Sequence, residues 1–80
     1  MALQNVQIKT LTSNTLLSNL NSITVLNGST TESLTIGVES SGEVITLSSG
    51  QTLSLIASVG FTLPTIDIKG ISLNANIVTT

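Results

Sequence analysis

The six glycines stand at positions 28, 37, 42, 50, 60 and 70, and four of the five gaps between them are eight to ten residues long. Between these turn signals, apolar and polar residues alternate with a period of two. A strand sends successive side chains to opposite faces, so this pattern specifies short strands rather than helices. Strands recurring at such intervals point to an all-β sandwich or barrel. The expected fold class is all-β: a small antiparallel β-sandwich or barrel-like domain spanning residues 1–80. No repeat of fixed length runs through the chain, which disfavours a β-solenoid.

Each run specifies its faces. In SLTIGV, Leu34, Ile36 and Val38 share one side. In PTIDIKG, Ile66 and Ile68 are expected inward, with Asp67 and Lys69 outward. ISLNANIVTT aligns Ile71, Leu73, Ala75 and Ile77 against Ser72, Asn74 and Asn76. QTLSLIAS groups Leu53, Leu55 and Ala57, and in LQNVQIKTL the inward residues are expected to be Val6 and Ile8. Asn27-Gly28 is a strong hairpin dipeptide between SITVL and the strand containing Leu34, and Ser41-Gly42 and Ser49-Gly50 read as tight turns. EVITLSSGQTLSLIAS, residues 43–58, reads as a hairpin turning at 48–51. Ile45, Leu47, Leu53 and Leu55 would form one buried layer, with Val44 and Ile56 on the opposite side. TSNTLLSNLNSI is ambiguous. Leu16, Leu17, Leu20 and Ile23 have helical spacing, but Ser18, Asn19, Asn21 and Ser22 are poor helix formers. One short helix near residues 13–21 and an irregular strand pair are both open.

Composition limits the chemistry. The chain has 80 residues, two lysines against four carboxylates, no cysteine and no histidine. That excludes a disulfide framework, thiolate metal sites and the commonest general base. A domain this short has a modest core and commonly needs disulfides, metal or partner subunits, so oligomerisation is the support left. Two isolated lysines and a single aromatic cannot build a phosphate-binding groove or a base-stacking platform, so no nucleic-acid partner is expected. No apolar run approaches a membrane span, and MALQNVQIKT has neither a basic n-region nor an apolar h-region, so no membrane partner and no signal peptide are expected. Charged residues make up 8% of the chain, against about 25% in a typical domain. Serine, threonine and asparagine supply the polarity instead. Such a surface is wet but weakly repulsive, which suits one that lies against another protein.

No constellation of reactive residues emerges. Asp67 and Lys69 lie two apart on one strand face and read as an exposed ion pair contributing about 0–1 kcal/mol. Glu32, Glu39 and Glu43 have no D-x-D-x-D-G context for a hard cation and read as solvated turn charges. The serines have no histidine, no G-x-S-x-G elbow and no S-x-x-K lysine. No phosphate-cradling glycine loop is present. The expectation is a non-enzymatic chain with no catalytic residue, metal, cofactor or small-molecule substrate. Phe61, the single aromatic, reads as a core plug beside a Gly-Pro turn region, with an interface anchor as the alternative.

The segment SGEVITLSSGQTLSLIASVGFTLPTIDIKGISLNANIVTT resembles, in style and composition, small β-rich structural proteins of tailed-bacteriophage virions. The SSGQTL turn, the TLPTIDI strand and the closing amphipathic strand carry the resemblance. It implies a viral protein of the virion, assembled in the host cytoplasm as a capsid decoration, head-fibre, neck or tail component. Its partners would be other particle proteins and copies of itself, in a trimer or higher homo-oligomer. Residues 1–28 are a candidate attachment or oligomerisation segment. Val44, Ile56, Phe61, Ile71, Leu73 and Ile77 are the candidate interface residues.

Overall fold

A computed structural model describes residues 5–80. Eight strands follow in order: β1 Gln7–Leu11, β2 Thr15–Leu17, β3 Ser22–Asn27, β4 Leu34–Val38, β5 Val44–Leu47, β6 Thr52–Ile56, β7 Ile66–Gly70 and β8 Ala75–Thr79. They form two antiparallel four-stranded sheets. Sheet A has the order β1-β8-β3-β6 and sheet B the order β2-β7-β4-β5. The fold is an all-β sandwich, and among the described residues there is no helix. Of the connections, only β4–β5 stays within a sheet, and the others cross to the opposite layer. That strand order is the double Greek key of an eight-stranded jelly roll.

One core joins the layers. Ile23 and Val25 of β3 and Ala75 and Ile77 of β8 face Leu34 and Ile36 of β4 and Ile66 and Ile68 of β7. Leu11, Leu47 and Leu73 close the ends. Leu34, Ile36, Ile66 and Ile68 point inward as their alternation requires, and Asp67 and Lys69 point outward. β-Branched side chains pack well on a pleated surface, and isoleucine and valine dominate the central strands.

The hairpins at residues 27–28 and 43–58 do not form. β3 and β4 lie in opposite sheets, and so do β5 and β6. Ile45, Leu47, Leu53 and Leu55 do face the space between layers, but across the sandwich rather than side by side. Leu47 is buried, Leu53 and Leu55 are half-buried, and Ile45 is exposed. A two-residue period fixes which side of a strand is apolar and leaves open which strand it pairs with. Backbone hydrogen bonds just after β5 hold the crossing. Gly50, at φ +78°, donates its N–H to Asn27 O (2.9 Å), and Asn27 N–H donates to Gln51 O (3.0 Å). The chain leaving β5 is thereby handed to β3. At Ser41-Gly42 the expected tight turn forms, with Ser41 N–H donating to Val38 O at 3.0 Å.

One open alternative is decided and two further expectations are corrected. Residues 13–21 hold strand β2 and a bend instead of a helix. Asn19 adopts φ +61°, a left-handed conformation that asparagine tolerates and a helix does not continue through. Leu16 is exposed while Leu17 turns inward against Ile66, which is strand alternation. In β1 the inward side is Gln7, Lys9 and Leu11, and Ile8 and Val6 point to solvent. Pairing with β8 sets this, because Lys9 lies opposite inward Ile77 and Ile8 opposite outward Val78. The alternation through Ile71 breaks at Ser72, whose φ of +50° makes a turn and leaves Ile71 exposed. Residues 5–28 supply β1 and β2, an edge strand of each sheet, and β3, an inner strand of sheet A; residues 1–4 of the candidate attachment segment lie outside the described residues.

Candidate functional site

The polar node of the sandwich is Asn27, 1% exposed at the end of β3. Its Nδ2 donates to Glu32 O (2.8 Å) and Leu47 O (3.0 Å), and its Oδ1 accepts from Ser29 N–H (3.0 Å). The side chain ties sheet A to the β3–β4 connection and to β5 of sheet B. The residue read as a hairpin turn is a buried clamp, and what distinguishes it is that an amide can serve two carbonyls and one N–H together.

Among the described residues no reactive cluster forms. Asp67 Oδ2 and Lys69 Nζ pair at 3.2 Å on the outer face of sheet B. Glu32 sits at one end of the sandwich and Glu39 and Glu43 at the other, separated by the length of β4. Among the described residues no three acidic, histidine or cysteine side chains converge on a metal-sized site. A shallow depression is lined by Asn14, Ser33, Thr35, Lys69, Gly70 and Ile71; Asn14 Oδ1 already accepts Gly70 N–H at 3.1 Å and Thr35 Oγ1 donates to Lys69 O at 3.5 Å.

The outer face of sheet A is the feature that stands apart. Across its four strands the outward residues run Ile8–Val78–Thr24–Ser54 and Thr10–Asn76–Leu26–Thr52, with Ser22 and Ile56 beyond. None is ionisable. The polar ones satisfy each other: Thr10 Oγ1 donates to Asn76 Oδ1 (3.0 Å), and Thr24 and Ser54 hydroxyls pair at 3.0 Å. Hydroxyls paired across strands bind less water and leave Ile8, Val78, Leu26 and Ile56 as the prominent exposed groups.

This face runs into an open side of the sandwich. Edge strands β5 and β6 flank a cleft of about 230 Å³ lined by Ile36, Val38, Ile45, Leu53 and Leu55, with Ser41 and Glu43 also contributing. Two layers of four short strands do not bring Leu53 and Leu55 into full contact with β5, so this layer is incomplete.

The six candidate interface residues are therefore divided. Val44 faces outward from sheet B and Ile56 outward from sheet A, both exposed. Phe61 is 71% exposed in the β6–β7 connection and is not a core plug; the chain places Leu63 against the core instead, its N–H donating to Leu20 O at 2.7 Å. Ile71 is exposed on the β7–β8 turn. Leu73 and Ile77 lie in the core of the single chain and are not part of its surface. Sequence reasoning missed Ile8, Val78 and Leu26 as one patch, because only the registers of β1, β8 and β3 bring them together.

No family model matches the chain, and neither a curated protein nor a solved structure matches it.

Proposed function

We propose that the chain is a non-enzymatic structural protein that assembles as a symmetric multimer in a virion or a similar particle, as a decoration, fibre or connector component. The observation that carries this reading is the outer face of sheet A: four strands wide, free of ionisable side chains, with Ile8 and Ile56 about four-fifths exposed. An isolated domain with such a face, an incomplete layer at β5 and β6, and no cysteine for a disulfide gains stability when copies cover one another. The jelly-roll strand order recurs in viral capsid domains, and also in lectins and cupins, so it adds weight by analogy alone. A chain without histidine or cysteine also lacks the usual parts of an active site.

A second reading, a small β interaction module or a surface adhesin or fibril subunit, is favoured by the uncharged edge of β6. Unlike edges that pair head to tail do not close and grow into fibres. Size-exclusion chromatography with light scattering separates the two. A discrete multimer of fixed mass is the expected result, fibres of variable length would favour the second reading, and a monomer at every concentration would sink both.

A further inference from the structure

The four sheet edges are not equally defended. β1 carries Lys9 on its inward side, β2 is three residues long, and β5 begins beside Glu43. Inward charge, shortness and flanking charge are the usual protections against edge pairing. β6 has none of them: Thr52, Leu53, Ser54, Leu55 and Ile56 are uncharged, and so are their neighbours Gln51 and Ala57.

The free groups of that edge follow from its pairing with β3. Ala57 N–H donates to Asn21 O at 2.8 Å, and Asn27 N–H donates to Gln51 O at 3.0 Å. Bonded and non-bonded pairs alternate in an antiparallel ladder, so residues 53 and 55 also bond β3. Thr52, Ser54 and Ile56 then direct their backbone N–H and C=O groups away from the sheet. The apolar side chains of the same strand, Leu53 and Leu55, line the open cleft. An occupant must therefore be an extended strand with apolar groups at every second position.

We propose that a second copy of this chain supplies that strand, through two-fold antiparallel pairing of β6 with β6 centred on Ser54. This deepens the multimer reading and rests on it. Centring on Ser54 sets Leu53 opposite Leu55 of the second copy on the cleft side, and Thr52 opposite Ile56 on the outer side. The three outward-directed residues become the bonded pairs 52–56, 54–54 and 56–52, each exchanging two hydrogen bonds. A register shifted by one residue would set leucine opposite serine and bring the wrong backbone groups together. No like charges meet, whereas the same operation on β1 brings two copies of Lys9 close together. The two A sheets become one eight-stranded sheet with a continuous uncharged outer face. Because the contact is isologous, the assembly contains an even number of copies.

The test uses the self-opposition of residue 54. Ser54→Lys and Ser54→Asp each place like charges directly opposite at the axis, which opposes pairing. Each variant alone is expected to stay folded by circular dichroism and to halve the copy number seen by light scattering. Mixing the two in equal amounts is expected to restore the wild-type mass. Ser54→Pro guards against misfolding, since it removes an N–H that bonds nothing within the chain and proline is tolerated on such an edge; it too should halve the mass. An odd wild-type copy number, unchanged mass in Ser54→Lys and Ser54→Pro, or failure of the mixture to re-form the multimer overturns the pairing while leaving a multimeric particle protein intact. A wild-type monomer overturns both.

Discussion

Sheet A turns Ile8, Val78, Leu26 and Ile56 outward among paired hydroxyls, whereas sheet B turns out the Asp67–Lys69 ion pair, with Glu39 and Glu43 at its margin. Inward, the two are alike: each sends isoleucines and leucines into one core. Burial therefore constrains the inner faces equally and says nothing about the outer ones. Charges placed on one outer face only leave that face hydrated and the other free to meet a surface that is also uncharged. The difference gives the small sandwich a direction, with an uncharged side and a charged side.

The largest expected effect removes the common ground of that comparison. Leu73 is buried where β8 enters the core shared by both sheets. Leu73→Asp forces an unpaired carboxylate into an apolar layer, at a cost of about 4 kcal/mol or more. A domain of this size has a total stability on the order of 4–12 kcal/mol. Loss of the cooperative β signal by circular dichroism is expected, in both sheets at once. Melting and mass unchanged from wild type would mean that Leu73 is not in the core.

Asn27 tests the tie between the sheets at one end. Asn27→Ala removes two donated bonds and one accepted bond, and leaves the Leu47 carbonyl without its side-chain partner. Buried polar groups left unmatched cost roughly 1–3 kcal/mol each. A fall of about 2–3 kcal/mol in urea unfolding, with the cooperative transition retained, is the expected outcome. A change below about 0.5 kcal/mol would show that the crossing of β5 to β6 does not depend on this clamp.

How much was legible in the sequence follows from the same physics. The inward set Leu34, Ile36, Ile66 and Ile68 and the outward pair Asp67 and Lys69 could be read directly, because alternation records burial. The all-β class followed for the same reason. Pairing could not be read. Asn27-Gly28 and the turn at 48–51 carry hairpin chemistry, yet both chains cross between layers, since a turn residue permits a reversal without choosing the sheet that receives it. In β1, Lys9 faces inward at the edge and Ile8 outward, which inverts the residue-by-residue expectation because the β8 register outweighs it. The candidate site was half legible. The lack of charge is a fact of composition, but its concentration on sheet A depends on registers that no local pattern reveals.

The smallest effect sharpens the contrast by erasing it. Asp67→Asn with Lys69→Gln strips the charge from the middle of the outer face of sheet B while keeping side chains of similar size. The pair is 3.2 Å apart and its lysine is well exposed, so solvent screens it and its contribution is at most about 1 kcal/mol. Added salt should therefore reduce wild-type stability slightly and leave the double variant unmoved. Association should respond more than folding does. With Leu16 and Val44 already exposed on the same face, the uncharged variant is expected to gain mass with concentration in light scattering, beyond the mass of the wild-type protein. If it keeps the wild-type mass at every concentration, charge is not what separates the two faces. The distinction would then lie in packing, in the paired hydroxyls on sheet A against the close approach at Gly37, where an added Cβ would meet Val44 Cγ1 at 2.9 Å.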